Sequence, residues 1–302
     1  MIPRLVLPVL VVSLTVLVDA QVRLRIVVPP VAPPSGDCLA SEDCFPKPLN
    51  TGLGATGVPP GHTPVEGCDT TPISGQVQDD CLFTTSVVIT PIGSGATFRY
   101  SRFQGQVQRN ITGSSGLLII EDSTLGPDSG CSTYDNAYGW ANHVLRRSRV
   151  TASASEGPRM TGANSTFEHN FIGPICSNPG DHADGIQAVG AGQNNIVHHN
   201  TIDLRTAVDF NAPIFFADNS ESATVTDNLV MGGNFSIRIH DDATPDIGPW
   251  IITGNRIVTG SYSNSPASTV NTTCATTTWT NNRLVTINAS YVILTTGAVV
   301  DC

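Results

Sequence analysis

The sequence predicts an all-β fold: a right-handed parallel β-helix, or solenoid, of about eight or more coils, linked by disulfides. Three observations predict it. A short motif recurs at intervals of 22 to 30 residues, charged residues make up only 13% of the chain, and the chain contains eight cysteines. Few charges, together with abundant Gly, Ser, Thr and Asn, favour short strands and turns over helices.

The repeated motif is an apolar residue, two variable residues, Ser or Asn, one variable residue and a second apolar residue. Its Ser/Asn positions are Ser101, Ser123, Ser148, Asn170, Asn200, Asn228, Asn255 and Asn282. We call these positions the ladder. They are separated by 22, 25, 22, 30, 28, 27 and 27 residues, a period typical of a fold built coil by coil. Asn suits a coil corner because it tolerates left-handed backbone angles and its amide can bond to the next Asn.

Each coil is expected to supply two or three short strands with apolar side chains pointing into a shared interior. Successive coils stack about 4.8 Å apart, and crossovers between parallel strands are almost always right-handed. The unequal intervals predict loops of unequal length. A β-helix usually builds its functional site from such loops.

The beginning of the chain predicts export. An apolar run from Leu5 to Val18, followed by small residues around Ala20, is typical of a signal peptide covering residues 1–20. Residues 21–66 contain two Pro-Pro pairs before residue 35 and predict an irregular Pro/Gly-rich segment or cap, with the β-helix in 67–302. No later segment approaches the roughly 20 apolar residues of a membrane-spanning helix. We therefore expect a secreted, extracellular protein.

All eight cysteines follow residue 20, and an even number in a secreted chain favours four disulfides. Cys274 and Cys302 lie 19 and 20 residues after successive ladder positions, so they are predicted to pair. Cys131 and Cys176 follow ladder positions two coils apart and would need long loops to meet. The five Asn-x-Ser/Thr sequons are at Asn110, Asn164, Asn234, Asn271 and Asn288.

The formal net charge of −10 argues against nucleic acid or an anionic membrane surface as a partner. It also argues mildly against an unassisted polyanionic substrate. We expect a monomer whose partner is a polysaccharide.

The coil pattern resembles the pectate-lyase-like superfamily of right-handed parallel β-helix proteins. The segments 50–61 (Asn-Thr-Gly-Leu-Gly-Ala-Thr-Gly-Val-Pro-Pro-Gly) and 180–187 (Gly-Asp-His-Ala-Asp-Gly-Ile-Gln) are similar to those of secreted β-helix-repeat proteins of soil microbes. The resemblance covers roughly residues 50–290 and implies an enzyme such as a polysaccharide lyase, hydrolase or epimerase, or a phage tailspike. The Trp-Ile-Asp-His stretch of pectate lyases and the Asn-Thr-Asp and Gly-His-Gly motifs of polygalacturonases are absent, so no catalytic residue is carried over.

Period-two alternation predicts a row of functional side chains on one outer face. If Ile186 points inward, Gln187 points outward, and the following coils present Phe215 and then Arg238 with His240. Arg159 in the preceding coil falls on the same face, and Asp184 lies in the turn before Gln187. Carboxylates, a guanidinium, an imidazole and an aromatic ring are the components of a sugar-binding cleft.

For a lyase, Arg159, His182, Arg238 and His240 are the candidate catalytic residues, because a base must remove a proton acidified by a neutralised uronate. Ca²⁺ held by Asp181 and Asp184 is a possible neutraliser. Gln187, Phe215, Tyr138 and Trp140 are the candidate substrate-binding residues, and His143 belongs to the same predicted loop wall as Tyr138 and Trp140.

Two alternatives stay open. A glycoside hydrolase would use paired carboxylates from Asp181, Asp184 and Asp209 or Asp218. A non-catalytic protein would use the solenoid as a glycan-binding or structural surface. In that case Asp181 and Asp184 would only cap a turn, and the outward Arg and His residues would be ordinary solvated surface.

Overall fold

Short strands return to the same side of the fold once in every coil and form a parallel β-solenoid without helices in the part described. The computed structural model describes residues 44–53, 61–70, 75–89, 95–109, 116–127, 129–132, 142–217, 220–240, 249–270 and 277–302. All of these residues belong to the unit Pro33–Cys302. Across those residues, no helix is long and apolar enough to cross a membrane.

The strands in chain order are β1 (Val77–Asp79), β2 (Leu82–Phe83), β3 (Val87–Ile89), β4 (Thr97–Arg99), β5 (Arg102–Phe103), β6 (Val107–Arg109), β7 (Leu118–Glu121), β8 (Thr124–Leu125), β9 (His143–Arg146), β10 (Arg149–Val150), β11 (Thr166–Glu168), β12 (Phe171–Ile172), β13 (Ala183–Val189), β14 (Asn195–His198), β15 (Thr201–Asp203), β16 (Phe210–Ala217), β17 (Ala223–Thr226), β18 (Leu229–Met231), β19 (Phe235–His240), β20 (Trp250–Thr253), β21 (Arg256–Val258), β22 (Ser265–Val270), β23 (Thr277–Thr280), β24 (Arg283–Ile287) and β25 (Ile293–Val299).

These strands form three sides of the solenoid. The first sheet has nine strands, in the order β1-β4-β7-β9-β11-β14-β17-β20-β23. The second has ten, in the order β2-β5-β8-β10-β12-β15-β18-β21-β24-β25, and is parallel except for its last pair. The third side carries the pair β3-β6 and the four-stranded sheet β13-β16-β19-β22.

The count of about eight coils needs correction. The repeated motif marks the corner between the first and second sheets, and that corner recurs in every coil. Among the described residues, the third side has no strand in the coils of β7 and β9, so complete three-sided turns are fewer than motif copies.

One register position of the first sheet supplies a central column of the core. Its members share the interior side of the pleat and are wholly buried: Phe98, Ile120, Leu145, Phe167, Val197, Val225 and Ile252. Burying each such side chain contributes about 1.5–3 kcal/mol relative to leaving it in water. The column therefore stabilises every coil against its neighbours.

The asparagines of the ladder form a continuous buried chain of amide hydrogen bonds. From Asn170 to Asn282, each Nδ2 donates to the Oδ1 of the next ladder Asn at 2.8–3.0 Å. Each of those Oδ1 atoms also accepts from the backbone N–H of the preceding ladder residue. Ser101, Ser123 and Ser148 make an equivalent contact with a shorter side chain. Each Oγ accepts from the backbone N–H at the corner of the preceding coil, at 3.0–3.2 Å. The side-chain stacking predicted for this corner is confirmed.

The left-handed backbone lies one residue earlier than expected. His169, His199 and Asp227 have φ values of 57°, 52° and 55°, whereas the ladder Asn that follows each of them does not have a positive φ. The expectation that Asn itself occupies the left-handed region is therefore wrong. Asn is required for its hydrogen bonds at a buried corner.

Two disulfides lie wholly within the described residues, Cys68–Cys81 and Cys131–Cys176. The second joins two cysteines that follow ladder positions two coils apart. Cys44 and Cys302 are also disulfide-bonded. Cys274 lies outside the described residues, as does the whole of residues 1–20, so the Cys274–Cys302 pair and the signal peptide stay predictions.

Residues 44–53 pack on the outer face of the second sheet. Phe45 is fully buried in a cluster with Leu229, Met231 and Val258. Further along, the backbone of Gly52 donates to the carbonyl of Arg147 at 3.0 Å. This part of the segment predicted as a cap thus covers one side of the solenoid.

Candidate functional site

The four-stranded sheet on the third side brings the predicted row together. Arg159 pairs with Gln187, Gln187 with Phe215, and Phe215 with Arg238 as direct neighbours on successive strands. We call these four residues the stripe. All four are partly exposed, so the stripe is an accessible surface.

Arg238 is held against aromatic rings. Its guanidinium carbon lies 4.9 Å from the ring centroid of Phe215 and 5.4 Å from that of Phe235. Nη1 donates to Oδ1 of Asn211 at 2.6 Å. A cation over an aromatic face contributes about 0.5–2 kcal/mol, depending on desolvation. These contacts fix the plane of the guanidinium and leave part of it facing solvent.

His240 is bonded to the same guanidinium. Nη2 of Arg238 lies 2.9 Å from Nδ1 of His240. Because a guanidinium has only donors, Nδ1 accepts this bond, and the single ring proton of the neutral imidazole is on Nε2. His240 therefore presents a defined tautomer beside a fixed cation.

A carboxylate that the strand pattern did not predict completes the other end of the stripe. Oε2 of Glu156 accepts a hydrogen bond of 2.7 Å from Nε of Arg159 and a second from its Nη2. Oε1 of Glu156 accepts from Nε2 of Gln187 at 2.8 Å. Glu156 thereby neutralises Arg159 and orients the Gln187 amide.

Asp184 lies inside β13 beneath the stripe and is only 1% exposed. Its Oδ1 accepts from the backbone N–H of Ala212 at 2.9 Å, and its Oδ2 accepts from Nε2 of Gln187 at 3.1 Å. Burial is the main cause that raises the pKa of Asp184 to about 8, and the charge of Glu156 adds to it. The expectation that Asp184 lies in the turn before the strand is wrong.

Close backbone packing supports this arrangement. A Cβ added to Gly157 would lie 1.9 Å from the carbonyl oxygen of Gly185, and one added to Gly185 would lie 2.4 Å from that of Pro213. Neither position has room for a side chain. The Gly in the Asp-Gly-Ile-Gln segment is thus required to hold Asp184 and Gln187 close to the neighbouring coils.

The two carboxylates expected to share Ca²⁺ take different partners. Asp181 accepts hydrogen bonds from the backbone N–H and side-chain amide of Asn178, within the turn before β13. Asp184 is surrounded by N–H donors, which an incoming cation would have to displace. The described residues contain no group of three or more His, Cys, Asp or Glu that could hold a metal ion. These carboxylates therefore do not fit a calcium site as arranged, and we derive no step through the metal.

His182, the other candidate next to Asp181, is exposed in the same turn, with a φ of 54°. Asp209, a carboxylate of the hydrolase alternative, accepts a hydrogen bond from the backbone N–H of Gly180. Both residues thus lie at the edge of the turn and make no contact with the stripe in the part of the chain described.

The predicted loop wall lies mostly outside the described residues, since Tyr138 and Trp140 are not among them. Asp218, a carboxylate of the hydrolase alternative, also lies outside them. His143 belongs to β9, is fully buried and contacts Ser165, so its assignment to an exposed wall is wrong.

Sequence reasoning missed Glu156 and Asn211. The Glu-x-x-Arg spacing could have indicated an ion pair between Glu156 and Arg159. Asn211 could not be found from the sequence in this way, because it contacts Arg238 only through the pairing of β16 with β19. Comparisons with protein-family models, curated proteins and solved structures found no match. The geometry of the stripe is therefore the basis for a functional proposal.

Proposed function

We propose that the protein is a secreted enzyme that cleaves a uronic-acid-containing extracellular polysaccharide by β-elimination on the stripe. The observation that carries this proposal is the environment of Arg238. Its guanidinium is packed against Phe215, bonded to His240, and makes no ion pair with a carboxylate within the described residues. A fixed cation that has no carboxylate partner among those residues, beside an aromatic platform, suits an acidic sugar.

Arg238 would bind the uronate carboxylate. Neutralising that carboxylate makes the proton on the adjacent ring carbon, C5, more acidic, which is the first requirement of elimination. The net charge of −10 argues against binding of a polyanionic substrate. A positively charged Arg238 would attract a uronate locally, although the protein as a whole repels the polymer. Phe215 would support the apolar face of the sugar ring.

His240 would act as the base. Binding of a carboxylate to the guanidinium competes with the bond between Nη2 and Nδ1 of His240, and this competition frees the Nδ1 lone pair. Nδ1 takes the C5 proton, the C–H electron pair forms the C4–C5 double bond, and the C4–O bond breaks. The departing glycosidic oxygen takes a proton from solvent water.

Gln187 and Arg159 extend the surface along the stripe. Nε2 of Gln187 is held by two carboxyl groups, those of Glu156 and Asp184, whereas its Oε1 is buried and has no hydrogen-bond partner among the described residues. A sugar hydroxyl could supply that missing donor. Arg159 is already paired with Glu156, so we assign it a role in binding and none in proton transfer.

Export to an oxidising compartment is part of the proposal. Two disulfides within the described residues and the apolar run from Leu5 to Val18 support it. An extracellular polysaccharide would be accessible to such a protein.

A hydrolase is the second candidate, and one observation favours it. Glu156 and Asp184 accept hydrogen bonds from the same nitrogen of Gln187. Glu156 is ion-paired with Arg159, whereas the pKa of Asp184 is raised to about 8. Retaining glycosidases use one ionised and one protonated carboxyl group about 5–5.5 Å apart. Both groups here are buried and fully hydrogen-bonded, which makes access to a glycosidic oxygen difficult, so elimination is preferred.

The test is incubation of the purified protein with a panel of polyuronates, with and without Ca²⁺. We expect a rise in ultraviolet absorbance from the conjugated double bond, abolished in Arg238→Ala and His240→Ala. Arg283→Ala is the control, because Arg283 is a partly exposed arginine on the second sheet. New reducing ends without the absorbance rise would indicate hydrolysis, and binding without either product would indicate a non-catalytic glycan-binding protein.

A further inference from the structure

A second cationic site lies on another part of the solenoid. A cavity of about 440 Å³ opens beside the second sheet and is lined by Arg102, Arg149, Ser129, Thr151, Pro127 and Pro174. Hydroxyls, guanidiniums and proline rings therefore share one concave surface. Its volume is within the range of about 300–1,000 Å³ that is typical of small-molecule sites.

The strand register explains why two arginines meet there. Arg102 and Arg149 both pair with Thr124, one from each side, so they stand two coils apart on the same face of the sheet. Thr124 between them is buried, and its Oγ1 accepts a hydrogen bond of 2.9 Å from the backbone N–H of Leu53, so the chain around Gly52 covers Thr124 itself. The cavity is lined instead by residues that follow the strands, such as Pro127 and Thr151. The Cys131–Cys176 disulfide directly follows the cavity-lining residues Ser129 and Gly130 and fixes that wall.

Arg149 has an unfilled hydrogen-bonding position. Its Nε atom is buried and has no hydrogen-bond partner in the part of the chain described. A buried donor without a partner costs about 1–3 kcal/mol, and such atoms in native proteins usually mark an ion, water or ligand that completes them. Here the atom belongs to a cation that lines a cavity.

We propose that this cavity binds an oxyanion, a carboxylate, sulfate or phosphate, carried by a molecule about the size of a sugar. A guanidinium recognises such a group through two parallel hydrogen bonds, and a second cation in the same cavity adds attraction. Ser129 and Thr151 supply hydroxyls for the rest of the molecule, and the proline rings supply apolar contact.

The site is independent of the stripe, because it uses the second sheet and none of the residues proposed for elimination. Isothermal titration calorimetry with the full chain distinguishes its ligands: inorganic sulfate and phosphate, glucuronate, a sugar sulfate, and glucose as the neutral control. We expect the sugar anions to bind more tightly than the inorganic ions, and glucose not to bind. Absence of heat with every anion would mean that water alone satisfies Arg149, and the proposal would fail.

Variants of Arg149 test the location. Arg149→Gln is expected to weaken anion binding at least about tenfold, and Arg149→Lys to weaken it less, because a lysine keeps the charge but loses the paired donors. Arg283→Gln is the matched control, since Arg283 has the same register position five strands further along the second sheet. Equal weakening in Arg149→Gln and Arg283→Gln would exclude the cavity as the site.

A crystallographic measurement covers the case in which Arg149→Gln does not fold. Crystals of the unmutated protein soaked in selenate should show an anomalous peak within hydrogen-bond distance of Arg149 Nε. Peaks elsewhere on the surface, with none in the cavity, would overturn the proposal.

Discussion

Oδ2 of Asp184 accepts a hydrogen bond of 3.1 Å from Nε2 of Gln187, which joins a buried acid to the exposed stripe above it. The same nitrogen donates to Glu156, whose carboxylate is paired with Arg159. The position of Gln187 on the surface therefore depends on two carboxyl groups below it. Protonation of one of them links the stability of this region to pH.

Asp184 is expected to make the protein less stable as pH rises. Burial raises its pKa to about 8, so between about pH 4 and pH 8 the folded state holds a proton that the unfolded state has released. The stabilisation is complete below about pH 4 and is lost as pH approaches 8. Asp184→Asn, which stays neutral, should flatten this part of the profile when the free energy of unfolding is measured in urea at several pH values.

The control for this experiment is Glu66→Gln, because Glu66 is exposed. We expect its profile to follow that of the unmutated protein. An Asp184→Asn protein with an unchanged slope would show that Asp184 is ionised in the folded state.

Phe215 and Arg238 should be energetically coupled. A double-mutant cycle with Phe215→Leu and Arg238→Gln is expected to give a coupling free energy of about 0.5–2 kcal/mol in unfolding, because each single change removes the same cation–π contact. The cycle of Phe215→Leu with Arg159→Gln is the control, since Gln187 separates those two residues in the register. Equal coupling in the two cycles would contradict the contact.

The order of the stripe could be predicted because it depends only on the repeat and on alternation within strands. Ile186 is buried between Gly185 and Gln187, and the same alternation places Phe215 and Arg238 outward. Glu156 could not be found this way, because it lies outside any strand and reaches Gln187 across 31 residues. The depth of Asp184 was also missed, since a bulge at Ala183/Asp184 interrupts the alternation there.

At the ladder, too, one feature could be predicted from the repeat and another could not. Asn at the corner follows from the repeat, but the left-handed residue before each ladder position varies among Tyr, Asp, Arg, His, Gly and Asn, so no single residue type marks it. These residues are outside the buried amide chain and form the polar outer edge of the corner, for example where Arg147 bonds to Asp122.

Asn228→Ala should be strongly destabilising. The side chain is fully buried, accepts from the backbone and amide of Asn200, and donates to the carbonyl of Val197 and to Asn255. Removing it leaves several buried polar atoms without partners, at about 1–3 kcal/mol each, so we expect a loss of at least about 3 kcal/mol in the free energy of unfolding. Asn264→Ala, at an exposed position, should change it by less than about 0.5 kcal/mol. Similar losses in the two variants would contradict a structural role for the ladder.

The two disulfides should contribute unequally. Cys131–Cys176 closes a loop of 45 residues and Cys68–Cys81 one of 13, and chain entropy predicts about 4 and about 3 kcal/mol respectively. Paired Cys→Ser variants, compared by chemical denaturation, measure the difference. Loss of Cys131–Cys176 should also weaken anion binding in the neighbouring cavity, whereas loss of Cys68–Cys81 should not. A larger destabilisation from the shorter loop would show that local strain or packing dominates.

Two of the sequons should differ in glycan occupancy when a eukaryotic host secretes the folded protein. Nδ2 of Asn164 donates to Asn142 at 3.0 Å, and its Oδ1 accepts from Asn194 at 3.1 Å, so the side chain is held between two neighbouring coils. A sugar on Nδ2 would have to enter that stack. Asn288 is exposed, and its Oδ1 accepts two backbone hydrogen bonds that leave Nδ2 directed to solvent.

Mass spectrometry of peptides from the folded, secreted fraction should therefore find a glycan at Asn288 and none at Asn164. Asn164→Gln, which abolishes the sequon, is expected to leave the mass of the attached glycans unchanged, and Asn288→Gln to reduce it. A fully occupied Asn164 in folded protein would mean that the Asn142–Asn164–Asn194 contacts open at little cost, so that this corner, unlike the buried ladder, does not depend on its side-chain hydrogen bonds.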